Sequence, residues 1–217
     1  LYNPSPGQIE TKENILLGKT HMTVGIAAAL AVTQPASVSE MILAVGIGGL
    51  GALISDIDVG TSASHKDADK ITGLSVAVIA LALFLDKFFH TGIINRVIYS
   101  SGYGKMIFGI LLFVGICAFG KEQPHRSFMH SILALILLSC AVGVIWKNAV
   151  IYFAVGFISH LATDIFNKRR VRLLYPLKGG VSLGWFHAYG LANTILFVMG
   201  SVVAGLESVF FVIRMLQ

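Results

Sequence analysis

The sequence predicts an all-α fold, a polytopic helical bundle embedded in a membrane. Two observations carry that reading. Of 217 residues, 55% are hydrophobic and only 12% are charged, where a soluble domain carries about 25% charged residues; the mean hydropathy is +0.79. Apolar runs also recur along most of the chain, with no long linker, low-complexity tract or internal repeat between them. These point to a polar N-terminal segment, 1–20, followed by a single membrane-embedded helical domain, 21–217. The opening stretch has no basic start leading into an apolar core, so no signal peptide is expected.

About seven apolar segments can be placed, at roughly 22–33, 38–55, 71–85, 105–119, 127–146, 149–166 and 189–213. The first is the weakest. Several fall short of the ~20 residues that cross a bilayer, so some are expected to be short or re-entrant. The second contains "GIGGLG", Gly46 to Gly51, which matches a dinucleotide-binding pattern. That pattern needs a preceding strand and a helix opening at the glycines. Inside an apolar segment the glycines are better read as a close helix-packing surface. Cys117 and Cys140 each sit alone in an apolar run, without metal-ligand spacing, and are expected only to pack. If all seven segments span, eleven basic residues fall on the N-terminal side of the membrane and five on the other. The N-terminal side should then be cytoplasmic.

The polar residues follow a pattern of their own. His21 precedes the first segment. Asp56 and Asp58, in "ISDIDVG", end the second. His125, Arg126 and His130, in "HRSFMHS", open the fifth. His160 and Asp164, in "SHLATD", close the sixth. With alternating spans, all four groups arrive at the same membrane face. Ionisable residues at membrane depth are costly and mark function by default. Imidazole and carboxylate together suit a divalent metal: zinc first, manganese or iron as alternatives. His160 and Asp164 are four apart and share one helix face, as do Arg126 and His130. Asp56 and Asp58 would diverge on an α-helix, so the second helix should unwind there. The expected metal ligands are His21, Asp56, His130, His160 and Asp164. Asp58 and His125 are expected as further ligands or as partners that orient ligands. His65 reads as solvated and His90 as interfacial. His187 is either a site residue or part of an interfacial aromatic belt. The run "NKRRVR" reads as a basic membrane anchor that can also hold phosphate.

The stretches "KTH", "DID", "HRSFMHS" and "GFISHLATD…LLYP" resemble, in order and spacing, the YdjM family, inner-membrane proteins described as metal-dependent hydrolases. The resemblance covers roughly residues 19–178. It implies that His21, Asp56, Asp58, His125, Arg126, His130, His160 and Asp164 are the functional positions. The family often has Thr and Gly where this chain has Asn167 and Arg170, a departure in the loop after the last Asp. The order of histidines and aspartates is also distantly similar to that of the zinc-dependent phospholipases C and P1-type nucleases.

The function expected is a membrane-bound metal-dependent hydrolase, phosphoesterase-like or phospholipase-like. Its expected substrate is an amphiphilic phosphorylated lipid at the cytoplasmic face of the inner membrane. Asp58, His125 and Arg126 are the expected catalytic groups, with Arg126 meeting charge on a phosphoryl oxygen. The partners expected are the lipid bilayer and that substrate, with no nucleic acid. Two other classes fit the composition. A metal or proton transporter would carry polar residues through to the far face. A non-catalytic scaffold would use the polar network only to stabilise the bundle.

Overall fold

The computed structural model describes residues 6–61, 65–185 and 190–217, with side-chain surroundings for 18–58, 73–74, 76–185 and 190–217. Among these residues there are seven α-helices: α1 (Pro6–Thr33), α2 (Val38–Ile54), α3 (His65–Phe88), α4 (Ile93–Lys121), α5 (Ile132–Ile145), α6 (Val150–Ile165) and α7 (Leu191–Met215). The described residues contain no strand; Val171 and Val181 form an antiparallel bridge. The all-helical class is as expected.

The number of spans is not. Four helices are long and apolar enough to cross a membrane, at Val38–Asp58, Ile93–Lys121, Lys147–Ile165 and Leu191–Met215, against the seven apolar segments read from sequence. The reasons differ by helix. Helix α5 has 14 residues, which at about 1.5 Å per residue falls well short of a ~30 Å hydrocarbon core. Helix α1 starts at Pro6, before the expected apolar segment, and its polar residues crowd into the first turns. Helix α3 opens on the charged run "HKDADK". Helix α4 extends N-terminally from the expected 105–119 and breaks at Gly102, whose φ of 73° is left-handed.

Helices α1, α2 and α6 form the centre, around the fully buried Leu30, Leu53, Phe153 and Phe157. Helix α7 lies against α1, and the α4–α5 pair lies alongside. The centre is tight because it is built on small residues. A Cβ at Gly51 would collide with the Phe153 carbonyl, and one at Gly156 with the Gly48 carbonyl. The "GIGGLG" run is therefore a backbone-on-backbone contact between α2 and α6.

Local signals fix where the helices begin and end. Ser37 and Glu40 form a reciprocal cap at the start of α2: Glu40 N–H donates to Ser37 Oγ at 3.3 Å, and Ala36 N–H donates to Glu40 Oε2 at 2.7 Å. At its other end α2 runs into a 3-10 helix, Ser55–Thr61, that carries both aspartates, the unwinding expected from their spacing. A second short 3-10 helix, Phe128–His130, delivers His130. Ser131 then caps α5 by accepting from Ala134 N–H at 3.1 Å. On the opposite side Asp86 caps α4, accepting from the Ile93 and Ile94 N–H groups at 2.7 and 3.2 Å. Arg96 there donates to Ser39 Oγ at 2.5 Å, so α4 and α2 start on the same side. The polar ends of α2, α4 and α6 consequently meet on the other.

Candidate metal centre

His21 on α1, Asp56 and Asp58 on the first 3-10 helix, His130 on the second, and His160 and Asp164 on α6 converge at that end. All six are buried. His130 Nε2 lies 3.5 Å from Asp56 Oδ1 and 3.2 Å from Asp164 Oδ2. His160 Nε2 lies 3.2 Å from His130 Nε2, 3.6 Å from Asp56 Oδ1 and 3.7 Å from Asp164 Oδ2. His21 Nε2 lies 3.7 Å from Asp164 Oδ1. Ligand atoms each about 2.0–2.2 Å from one ion stand roughly 3–3.6 Å apart, so the spacing matches a shared cation.

The ring nitrogens are oriented for that role. Ala52 O accepts from His160 Nδ1–H at 2.7 Å. Thr163 Oγ1 gives its single proton to the His160 carbonyl at 2.8 Å. Thr163 can then only accept from His21 Nδ1–H, at 2.9 Å. His130 Nδ1 faces Asp58 Oδ2 at 3.5 Å. In each ring Nδ1 is turned to an acceptor, and in His21 and His160 this leaves the Nε2 lone pair aimed at the aspartates. Such backing by a carbonyl, hydroxyl or carboxylate is how metal-binding histidines are held.

The two aspartates grip His130 from opposite edges, Asp56 at Nε2 and Asp58 at Nδ1. A 3-10 helix turns about 120° per residue, so residues two apart point in different directions, here around one imidazole. Asp58 Oδ1 also accepts from His125 Nδ1–H at 2.8 Å. The His125 side chain is a quarter exposed and sits at the mouth.

Electrostatics point the same way. Three buried carboxylates, Asp56, Asp58 and Asp164, surround the imidazoles, and the Arg126 guanidinium pairs with Asp164. Burial pushes the His130 proton off, but Asp58, then Asp164 and Asp56, outweigh it and hold His130 well above the ordinary histidine range. Asp164 Oδ2 and His130 Nδ1 are buried with no well-formed hydrogen bond despite these close neighbours. Both features fit residues arranged around a dication. The groups His21–His160–Asp164 and Asp56–His125–His130 could each hold a metal ion, and the short His130–His160 contact joins them.

Arg126 is not a free cation at the mouth. Its Nη2 donates to Asp164 Oδ1 at 3.1 Å and its Nη1 to the Arg169 carbonyl at 2.9 Å. Its backbone is left-handed, with φ of 64°, and its carbonyl accepts from Arg172 N–H at 3.0 Å.

The YdjM inner membrane protein description matches residues 16–216. The chain belongs to the YdjM inner membrane protein family. No curated protein and no solved structure matches it. As a YdjM protein it is an inner membrane protein, in keeping with its four apolar helices.

In this YdjM chain the structure brings together all eight site residues read from the sequence. The remaining histidines stay apart from them. His90 is exposed at the far end, beside the Phe88 carbonyl. The His65 side chain and His187 lie outside the described residues. Thr163 and the Ala52 carbonyl were missed. A helical Thr bonded to a carbonyl three residues back is ordinary, and a backbone acceptor leaves no mark in sequence. Asn167 is buried, and its carbonyl accepts from the Ser182 hydroxyl, which closes the loop after α6 back on the end of that helix. Cys117 and Cys140 are free thiols on α4 and α5.

Proposed function

We propose that this chain is a metal-dependent hydrolase whose resident ion is held by His21, Asp56, His130, His160 and Asp164, and whose substrate is a phosphoester of an amphiphilic lipid at the cytoplasmic face. The observation that carries it is the convergence of three imidazole Nε2 atoms and two carboxylates from four separate elements. The nitrogen and oxygen donors fit zinc first, then manganese or iron. A dication in such a site activates water near neutral pH and polarises a phosphoryl oxygen.

The chain's own residues supply the rest. His125, held by Asp58 through Nδ1, keeps Nε2 for proton transfer at the mouth, the arrangement of a paired general base. Arg126 fixes Asp164 and offsets its charge. An apolar cavity of about 450 Å3 between α1, α2, α3 and α7 runs from Met22 toward Val38 and Phe89 at the far end, with room for a hydrocarbon chain along the bundle.

A transport pathway is less well supported. Among the described residues, Asp86 is the one buried ionisable side chain at the far end, and it caps α4. Apolar Leu30, Leu53, Phe153 and Phe157 fill the centre of the bundle.

Metal content, measured beside hydrolysis of a panel of lipid phosphoesters, tests the reading. Asp164→Asn should lose metal and turnover while the protein still purifies as a folded species. Arg126→Lys keeps a charge beside Asp164 but not the fork; it should weaken metal binding less than Asp164→Asn does and lower turnover with it. A wild-type protein that binds no divalent metal defeats the proposal. A metal-loaded protein that hydrolyses none of the panel defeats the hydrolase part and leaves a metal-binding protein.

A further inference from the structure

From Ile165 to Leu206 the chain has no acidic residue, yet Lys168, Arg169, Arg170, Arg172 and Lys178 lie within it. The described part of this connection, 166–185, is a built surface. Val171 and Val181 exchange two backbone hydrogen bonds at 2.9 Å. Leu183 N–H donates to Ile165 O at 2.7 Å and Trp185 N–H to Phe166 O at 3.0 Å, which returns the loop to the end of α6. Leu173 O accepts from Ile132 N–H at 3.0 Å, which fixes it to the start of α5. Both helices are apolar and end here, so the loop lies at the level where lipid meets water.

Its outer side combines two kinds of residue. Leu174, Leu177, Leu183 and Trp185 are exposed, Trp185 to 71%. Arg169, Arg170 and Lys178 are exposed beside them. In water such apolar exposure is unfavourable. At a bilayer interface Trp and Leu enter the headgroup–acyl boundary while cations reach the phosphates. A basic stretch serving only to orient the chain during insertion needs its charge, but neither the exposed leucines nor the fixed loop.

We infer that the 166–185 loop is a docking surface for anionic phospholipid: Leu174, Leu177, Leu183 and Trp185 seat in the leaflet, and Arg169, Arg170 and Lys178 hold headgroup phosphates beside the metal centre. The Arg169 carbonyl already accepts from Arg126, so a lipid held there lies next to the site. This inference does not depend on hydrolysis.

The chain has two tryptophans. Trp146 is 7% exposed, so Trp185 is the one placed to report on lipid. The protein is reconstituted in phosphatidylcholine nanodiscs that contain a minor fraction of brominated phosphatidylglycerol or of brominated phosphatidylcholine. The quenching of Trp185 is the signal lost in Trp185→Phe. The expected result is a preference for the anionic quencher on the order of tenfold, the effect of one or two cations at a charged surface. It should vanish in the triple variant Arg169→Gln, Arg170→Gln, Lys178→Gln. Equal quenching by the two lipids overturns the inference, whatever the variant does. So does a preference that survives the triple substitution, or one that persists in Trp185→Phe. Inorganic phosphate at matched ionic strength should leave the preference intact; if it abolishes it, the surface takes free phosphate and the lipid assignment falls.

Discussion

Two histidines in the site are held at Nδ1, His21 by a hydroxyl and His160 by a carbonyl, and the third, His130, turns its Nδ1 toward a carboxylate 3.5 Å away. The histidines and aspartates were legible in the sequence because ionisable groups at the ends of apolar runs are costly to keep. Their backing was not, because Thr163 and Ala52 are ordinary helix residues. Thr163→Val tests the backing. It keeps the shape but leaves His21 Nδ1–H without an acceptor, so Nε2 is no longer held toward Asp164. Metal affinity should fall by roughly 10–100-fold, the usual effect of losing a partner behind a ligand. Titration calorimetry on the purified variant measures it; unchanged affinity would remove His21 from the ligand set. The orientation of Arg126 was equally hidden. Its spacing to His130 was readable, but its left-handed backbone and its bond to Asp164 depend on a loop more than 40 residues further along.

The ligands owe their positions to helix ends and helix contacts. His160 and Asp164 follow Gly156 by one and two turns of α6, and Gly156 lies against the Gly48 carbonyl of α2. Gly156→Ala should push the two helices apart. Overpacking of this kind costs about 1–3 kcal/mol. It should also move His160 and Asp164 away from Asp56, so the melting temperature and the metal affinity should fall together. A variant that loses thermal stability but binds metal as before would mean that the α2–α6 contact does not set the site. The packing role of the glycines was legible, since a glycine cluster in an apolar run has few other uses. The spans were not. An apolar window reads the same whether it faces lipid or a protein core: α5 is apolar throughout yet too short to cross alone. Conversely, the break of α4 at Gly102 leaves no signal beyond a single glycine.

At the scale of the molecule, the alternation of helix directions gathers every site residue at one end, and the orientation follows from charge. Most of the basic residues fall at the site end, the 168–178 run among them, so that end should face the cytoplasm. Single cysteines at Lys178 and at Asn148, in a background without Cys117 and Cys140, should label from opposite sides of the inner membrane. Labelling of Lys178→Cys from the periplasmic side would reverse the orientation. How the helices close on one another was not readable from the apolar runs, because closure joins segments far apart in the chain. The contact between His21 and Thr163 spans 142 residues. This separation has a consequence for biogenesis. A chain still on the ribosome holds His21, then the two aspartates, then His130, with no α6 to complete them. Until α6 is threaded into the bilayer, the nascent protein carries an open, negatively charged half-site that retains ions poorly. Under the proposed function, metal capture is thereby postponed to the last third of synthesis, and the ion would seal a nearly finished topology instead of serving as its template.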